Sequence, residues 1–249
     1  MVEKLFYVEI GQGSPLICLH GYALDHTIWL MVAEVLKKNA RLILPDLRGH
    51  GKSPAPEGKY SMRTMAEDVL QTMDSLKLER AYIAGHSMGG YIALALAELH
   101  QDRLSGLALV ASHAFADLPE KKKARLEDIE KVKDSSPAEV LSGMAGKLSR
   151  NPEVAEYCKK LISQTSKNGA MGVLAGMAER SDSIEVMESL KIPVMVVAGT
   201  EDQFIPRETS KEMAKRVKGM QLIEIMNAGH MPMMEYPEET AKALLNLFK

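Results

Sequence analysis

Seven short apolar runs are strung between stretches of helical periodicity, and this order constrains the fold more than any other feature. Residues 5–10, 16–19, 42–44, 81–84, 107–110, 193–198 and 222–226 read as strands. Most are solid apolar runs rather than alternating ones. Solid runs suit strands covered on both faces, as in a parallel sheet packed between helices. Met62, Met65, Ala66, Val69, Leu70, Met73 and Leu76 recur at three- and four-residue steps and predict a helix with one apolar face. Residues 88–99 are rich in Ala and Leu and predict another. Pro237, Glu238 and Glu239 read as the first turn of a final helix, where a missing N–H costs nothing and acids meet the positive dipole end. The prediction is an α/β fold, with a mostly parallel sheet flanked by helices and right-handed crossovers.

The alternation breaks over residues 112–190, which hold no convincing strand. Charged stretches such as 120–133 alternate there with Pro137, Gly143, Gly146, Pro152, Gly169, Gly172 and Gly176. A structureless loop of that length is rare in a compact domain, so the segment reads as several inserted helices. The predicted division is a core of residues 1–111 and 191–249 and a helical cap of residues 112–190. The run Lys121, Lys122, Lys123, Ala124, Arg125 lies beside Glu120, Glu127 and Asp128 and reads as a solvated helix face rather than an anion site.

Composition removes whole classes of function. A formal net charge of −2 leaves no electrostatic footprint for nucleic acid. No apolar segment is long enough to span a bilayer, and the N-terminus has no signal-peptide pattern. Cys18 and Cys158 are far apart and read as buried or idle thiols. The expected location is the cytoplasm, with no membrane partner.

The chemistry concentrates at Gly85-His86-Ser87-Met88-Gly89, with a strand before it and a helix after it. A sharp strand-to-helix turn of this kind lifts a serine hydroxyl above the sheet edge. The helix start behind it supplies N–H groups and a positive dipole end that favour an oxyanion. A serine needs a base, and the base needs an orienting acid. Folds with such turns take the acid and then the histidine from later in the chain. His230, in Gly229-His230, is the one histidine C-terminal to Glu201 and Asp202, which compete for the acid. All three positions follow strands and so fall at one sheet edge. The backbone N–H of Met88, which follows the nucleophile, is one oxyanion donor. The Tyr22 N–H, in the loop His20-Gly21-Tyr22-Ala23-Leu24, is assigned as the other.

With these residues, together with His20-Gly21, Asp46-Leu47-Arg48-Gly49-His50-Gly51-Lys52-Ser53, Gly85-His86-Ser87-Met88-Gly89-Gly90, Gly199-Thr200-Glu201-Asp202 and Gly229-His230, the chain resembles the α/β-hydrolase superfamily, in its small cap-bearing serine esterase branch. The likeness covers nearly everything outside the insertion. It implies an eight-stranded, mostly parallel sheet and a helical cap over Ser87. It selects Asp202 over Glu201, from its place in the Gly-Thr-x-Asp turn. Serine at position 87 excludes the branches that need a carboxylate nucleophile.

The resemblance implies a carboxylesterase working through Ser87, Asp202 and His230 on small to medium esters with an apolar acyl part, with no cofactor. A second reading is an enol-lactone or carbon–carbon bond hydrolase. Its carboxylated substrates call for a cationic side chain such as Arg125, Arg150 or Arg180. A third, of another class, is a non-catalytic ligand receptor on the same scaffold.

Other polar residues take quieter readings. His86 packs in the turn, and His20 shapes the oxyanion loop. His113 reads as a surface residue, while His26, His50 and His100 have no constellation around them. Asp46 and Arg48 suggest an ion pair within a structural turn. Gly51-Lys52-Ser53 lacks the first glycine of a phosphate loop, where Asp46 stands. Gly11-Gln12-Gly13 lacks a dinucleotide fingerprint's third glycine and reads as a hairpin turn. No ligand spacing implies a metal. Of 17 methionines, Met231, Met233 and Met234 follow His230, and Met144, Met171 and Met177 lie in the insertion. They read as core packing, with an adaptable acyl pocket as the sharper alternative.

Overall fold

The computed structural model describes residues 3–249. Seven strands occur where the apolar runs predict them: β1 (Tyr7–Gly11), β2 (Ser14–Leu19), β3 (Ala40–Pro45), β4 (Ala81–His86), β5 (Leu104–Val110), β6 (Val194–Gly199) and β7 (Gln221–Ile225). They form one sheet in the order β1-β3-β2-β4-β5-β6-β7. Every neighbouring pair is parallel except β1 with β3. The eighth strand implied by the family resemblance does not occur among the described residues, because no eighth apolar run is there to form one. The hairpin at Gly11–Gly13 is also corrected. β1 and β2 follow one another, but β3 lies between them in the sheet.

The solid apolar runs follow from burial on both faces. Ile17, Leu19, Ile43, Ile83, Leu107 and Leu109 enter one core, while the alternate residues Leu16, Cys18, Leu42, Leu44, Ala84 and Val110 enter the other. Successive strand side chains point to opposite faces, so both sets must be apolar. Helices α1 (Leu30–Leu36), α2 (Met62–Ser75) and α3 (Met88–Leu99) lie in the first half of the chain. The α2 and α3 residues Met65, Val69, Ile92 and Leu96 cover the first face, and Val32 and Leu36 of α1 cover the second.

Between β5 and β6 run α4 (Pro119–Asp134), α5 (Pro137–Val140), α6 (Ala145–Leu148), α7 (Pro152–Ser163), α8 (Lys167–Ala178) and α9 (Ile184–Ser189), with no strand among them. The chain closes through α10 (Arg207–Arg216), α11 (Pro232–Glu235) and α12 (Pro237–Leu245), the last with proline in its first turn. No helix among the described residues is long and apolar enough to cross a membrane.

Gly172 and Gly176 lie inside α8 rather than at breaks. Gly172 O accepts the Tyr60 N–H at 2.9 Å, and a Cβ on Gly176 would sit 1.7 Å from Tyr60 O. The glycines let α8 lie backbone to backbone on the 58–61 loop, which fastens the inserted helices to the core.

The suggested Asp46–Arg48 pair does not form. Arg48 instead makes a forked contact with Asp68 on α2, at 2.7 and 2.6 Å. Asp46 accepts from His26 N and Nδ1 and from Lys52 N.

Candidate active site

Ser87 stands between β4 and α3 with φ 50° and ψ −114°. That is left-handed backbone, strained for a residue with a Cβ. The turn closes because its flanks are glycine: a Cβ on Gly85 would lie 2.3 Å from Gly89 O. Ser87 N–H donates to Val110 O at 3.0 Å, and the Ser112 hydroxyl donates to Ser87 O at 2.7 Å. These bonds from β5 and its exit hold the strained turn in place.

Asp202 and His230 follow β6 and β7 at the same edge of the sheet. Asp202 Oδ1 accepts the N–H groups of Phe204 and Ile205 at 2.7 and 3.0 Å. Its Oδ2 accepts from His230 Nδ1 at 2.8 Å, with both side chains nearly inaccessible to water. A carboxylate only accepts, so the proton sits on Nδ1 and leaves Nε2 with its lone pair. Glu201 turns outward and pairs with Arg150, so of the two acids it is Asp202 that meets His230. The imidazole is flanked by the rings of His86 and Phe204, each at 4.9 Å. His86 Nε2–H donates to His230 O at 2.9 Å, and Leu148 O, from the insertion, accepts the His230 N–H at 2.9 Å.

Ser87 and His230 line one cavity of about 110 Å³. Among the described residues the His230 ring hydrogen-bonds to Asp202 and not to Ser87. Nucleophile–base contacts are often long in ligand-free sites and tighten when substrate binds. Neither the Tyr22 N–H nor the Met88 N–H has a hydrogen-bond partner among the described residues. Two free backbone donors beside a serine are what an oxyanion requires.

The loop carrying Tyr22 is braced by two buried histidines. His20 Nδ1–H donates to Gly21 O at 2.8 Å, and its Nε2 accepts from Leu47 N at 2.8 Å. His50 Nδ1–H donates to Arg48 O at 3.0 Å, and its Nε2 accepts from Ala23 N at 3.0 Å. Each ring therefore donates once and accepts once, as only neutral imidazole can. Burial lowers both pKa values, that of His50 to about 3. His50 and His26 thus have constellations that the sequence did not reveal. His26 is bound to Asp46, which raises its pKa.

Asp25, His26 and Asp46 bring ligand atoms within 4.8 Å of one another. Asp46 already accepts three hydrogen bonds there, so the cluster is a brace between loops rather than an open cation site.

The insertion contributes Lys121, Arg125, Met144, Leu148 and Met177 to the cavity. The solvated-face reading of 121–125 is therefore corrected in part. Lys121, Lys122 and Lys123 are all exposed, but Lys121 and the half-buried Arg125, one helical turn apart on α4, also line the cavity. Their i,i+4 spacing was the available signal, hidden among like charges. His113 is not on the surface: it is 9% exposed and packs edge-on to Tyr91. Burial, then Arg180, lowers its pKa to about 3. Met231 and Met233 are core residues, whereas Met144 and Met177 do reach the cavity. Phe204, Ile205 and Leu24 complete the apolar lining and carried no sequence motif.

Comparison with known proteins agrees with this architecture. The family model described as alpha/beta hydrolase fold matches residues 14–237. A Bacillus subtilis (strain 168) protein named as an AB hydrolase superfamily member is 30% identical over 248 residues, covering 94% of this chain and 91% of its own length. The solved structure of a thermophilic esterase from Thermogutta terrifontis, with malate bound, superposes with a TM-score of 0.95 at 35% identity. That match covers 99% of this chain and 93% of the other. The enol-lactonase from Burkholderia xenovorans LB400 gives 0.90 at 26% identity, covering 99% and 96%. A match spanning the sheet, the insertion and the loops that carry residues 87, 202 and 230 leaves one assignment: the chain belongs to the alpha/beta hydrolase fold family.

Proposed function

We propose that the protein is a serine hydrolase that cleaves carboxylic esters through an acyl-enzyme. The observation that carries this reading is the 2.8 Å bond from His230 Nδ1 to Asp202, beneath a cavity that both His230 and Ser87 line. His230 Nε2 takes the Ser87 proton as the oxygen attacks the ester carbonyl. The N–H groups of Tyr22 and Met88 receive the developing oxyanion, each contributing about 2.7–4 kcal/mol to the transition state. His230 then gives its proton to the leaving alcohol. Water, deprotonated by the same imidazole, releases the acid. Asp202 keeps the tautomer and stabilises the imidazolium. None of these steps needs a cofactor.

Residues 112–190 act as the cap that limits substrate size. Leu24, Met144, Leu148, Met177, Phe204 and Ile205 give the cavity an apolar side for the acyl group. Its volume of about 110 Å³ favours small substrates. Two free buried thiols, Cys18 and Cys158, support a reducing compartment, the cytoplasm. Names of relatives support the chemistry: one is an esterase, another an enol-lactonase. The latter favours a second reading, in which the same machinery opens a lactone ring.

The test is turnover of a p-nitrophenyl ester series from acetate to octanoate, with an enol-lactone, by wild type and Ser87→Ala. Turnover favouring the shorter acyl chains, lost at least 10³-fold in the variant, is the expected result. Undiminished turnover in Ser87→Ala ends the serine reading, and tight binding without turnover points to a receptor.

A further inference from the structure

The charged lining of the Ser87 cavity is one-sided. Lys121 and Arg125 line it, and among the described residues no carboxylate does. Among the described residues, Lys121 Nζ has no carboxylate within ion-pair distance, although most exposed lysines of α4 have one. Lys123, Lys131 and Lys133 pair with Glu127, Asp128 and Glu130.

Arg125 is held by its inner edge. Its Nε donates to Asp117 Oδ2 at 2.5 Å and its Nη2 reaches Asp117 Oδ1 at 3.5 Å, while Nη1 meets only the Met177 sulfur at 3.4 Å. A thioether is a weak acceptor, so a charged donor is left without a proper partner at the cavity. Asp117 cannot offset this charge alone, because it also accepts from Arg180 Nη2 at 2.8 Å. Arg180 is fixed in turn by Phe115 O and by stacking over Tyr91, 4.0 Å from the ring centre. One buried carboxylate thus anchors two guanidiniums, and the lysine on the same helix face is unpaired. Desolvation and repulsion from Arg125 and Arg180 lower the Lys121 pKa, so an arriving anion meets a pair that gains from neutralisation.

We infer that Lys121 and Arg125 form an anion subsite, and that the preferred substrates are compact esters or lactones carrying a carboxylate a few bonds from the scissile carbonyl. This deepens the serine-hydrolase reading and rests on it for the step at Ser87. The small cavity sets the "few bonds": both groups of the substrate must fit beneath α4. Arg125 offers a planar fork already oriented by Asp117, and Lys121 adds a mobile point charge. The apolar lining then receives the linker between the ester and the carboxylate.

The experiment compares kcat/KM for matched anionic and neutral esters: p-nitrophenyl hydrogen glutarate against p-nitrophenyl hexanoate, and 4-acetoxybenzoate against its methyl ester. Each pair places the carboxylate on a different side of the scissile bond. Wild type should prefer the anionic member of at least one pair by about ten-fold or more, the usual scale of a charge-assisted hydrogen bond. Lys121→Met and Arg125→Gln should each bring that ratio down about ten-fold, and the outward control Lys122→Met should leave it unchanged. A wild-type preference for both neutral esters, or a ratio that ignores Lys121→Met, overturns the subsite. Ser87→Ala separates the two ideas, because it must abolish turnover of both ester classes if the serine reading holds. Glutarate itself, which has no scissile bond, gives an independent readout. It should raise the melting temperature of wild type and Ser87→Ala but not of Lys121→Met. Absence of that rise in wild type sinks the subsite whatever the fate of the nucleophile.

Discussion

Ser87 is the residue at which backbone strain and chemistry meet. Its φ of 50° costs of order 1–3 kcal/mol for a side-chain-bearing residue. The strain is held by the bonds to Val110 and Ser112, and it presents the hydroxyl to the cavity instead of burying it in the helix start. Replacing Ser87 with glycine removes the hydroxyl and relieves the strain together. Ser87→Gly should therefore be inactive yet more stable than Ser87→Ala by about 1 kcal/mol, read as the difference in urea midpoints. Equal midpoints would show that the turn stores no strain. His86, beside it, shows how much of a motif can be support. Its Nε2–H fixes the His230 backbone, so the residue next to the proposed nucleophile steadies the loop of the proposed base. The Gly-x-Ser-x-Gly spacing singles out Ser87 as a candidate, but only the folded chain reveals that connection.

At the scale of elements, the docking of α8 on the 58–61 loop decides whether the inserted helices sit over the sheet. A methyl group on Gly176 would collide with Tyr60 O, a backbone atom that cannot swing aside as a side-chain end can. Gly176→Ala should cost about 1–3 kcal/mol and loosen the insertion, lowering activity before the core melts. Limited proteolysis across residues 112–190, followed alongside ester turnover, checks this. Protection equal to wild type would mean that the loop yields. The same region shows where sequence reasoning stops. Averaged over proteins, glycine disfavours helix interiors, so its place inside α8 is not legible from composition. Here its meaning is set by a neighbour more than 100 residues away. Likewise the basic run on α4 divides between water and the cavity, and composition alone carries no direction.

Across the whole molecule, four buried histidines hold pKa values below the ordinary range: His20, His50, His86 and His113. For each, burial is the leading cause. The native state therefore binds fewer protons than the unfolded chain once pH falls below about 6.5. Their contribution is intact above that value and is lost progressively as pH falls towards the folded values, about 3 for His50 and His113. At pH 5 His50 and His113 have each withdrawn about 2 kcal/mol. His26, raised by Asp46, acts in the opposite sense: its stabilisation is complete below about pH 6.5 and is lost as pH rises through its folded value. Chemical denaturation should show His50 and His113 together removing about 4 kcal/mol of stability between pH 7 and pH 5, of which His26 returns a part. His113→Gln should flatten that slope by about one proton, and a slope the variant leaves intact would mean that His113 titrates freely.

What the sequence determined by itself is the sheet and the edge where chemistry gathers. Solid apolar runs require cover on both faces, and a glycine-flanked serine between strand and helix requires a sharp turn, so seven strands and the candidates Ser87 and His230 can be read from local pattern, while the choice of Asp202 over Glu201 needs the family likeness. The eighth strand, implied by family likeness alone, does not occur among the described residues. The tertiary structure decided what spacing cannot encode: β1 beside β3, Arg48 with Asp68, Glu201 turned away from His230, His113 buried, and Lys121 and Arg125 at the wall of the Ser87 cavity. Each depends on which distant group comes within hydrogen-bonding reach after packing. Strand and helix periodicity is a property of neighbours along the chain, whereas a charge's partner is a property of neighbours in space.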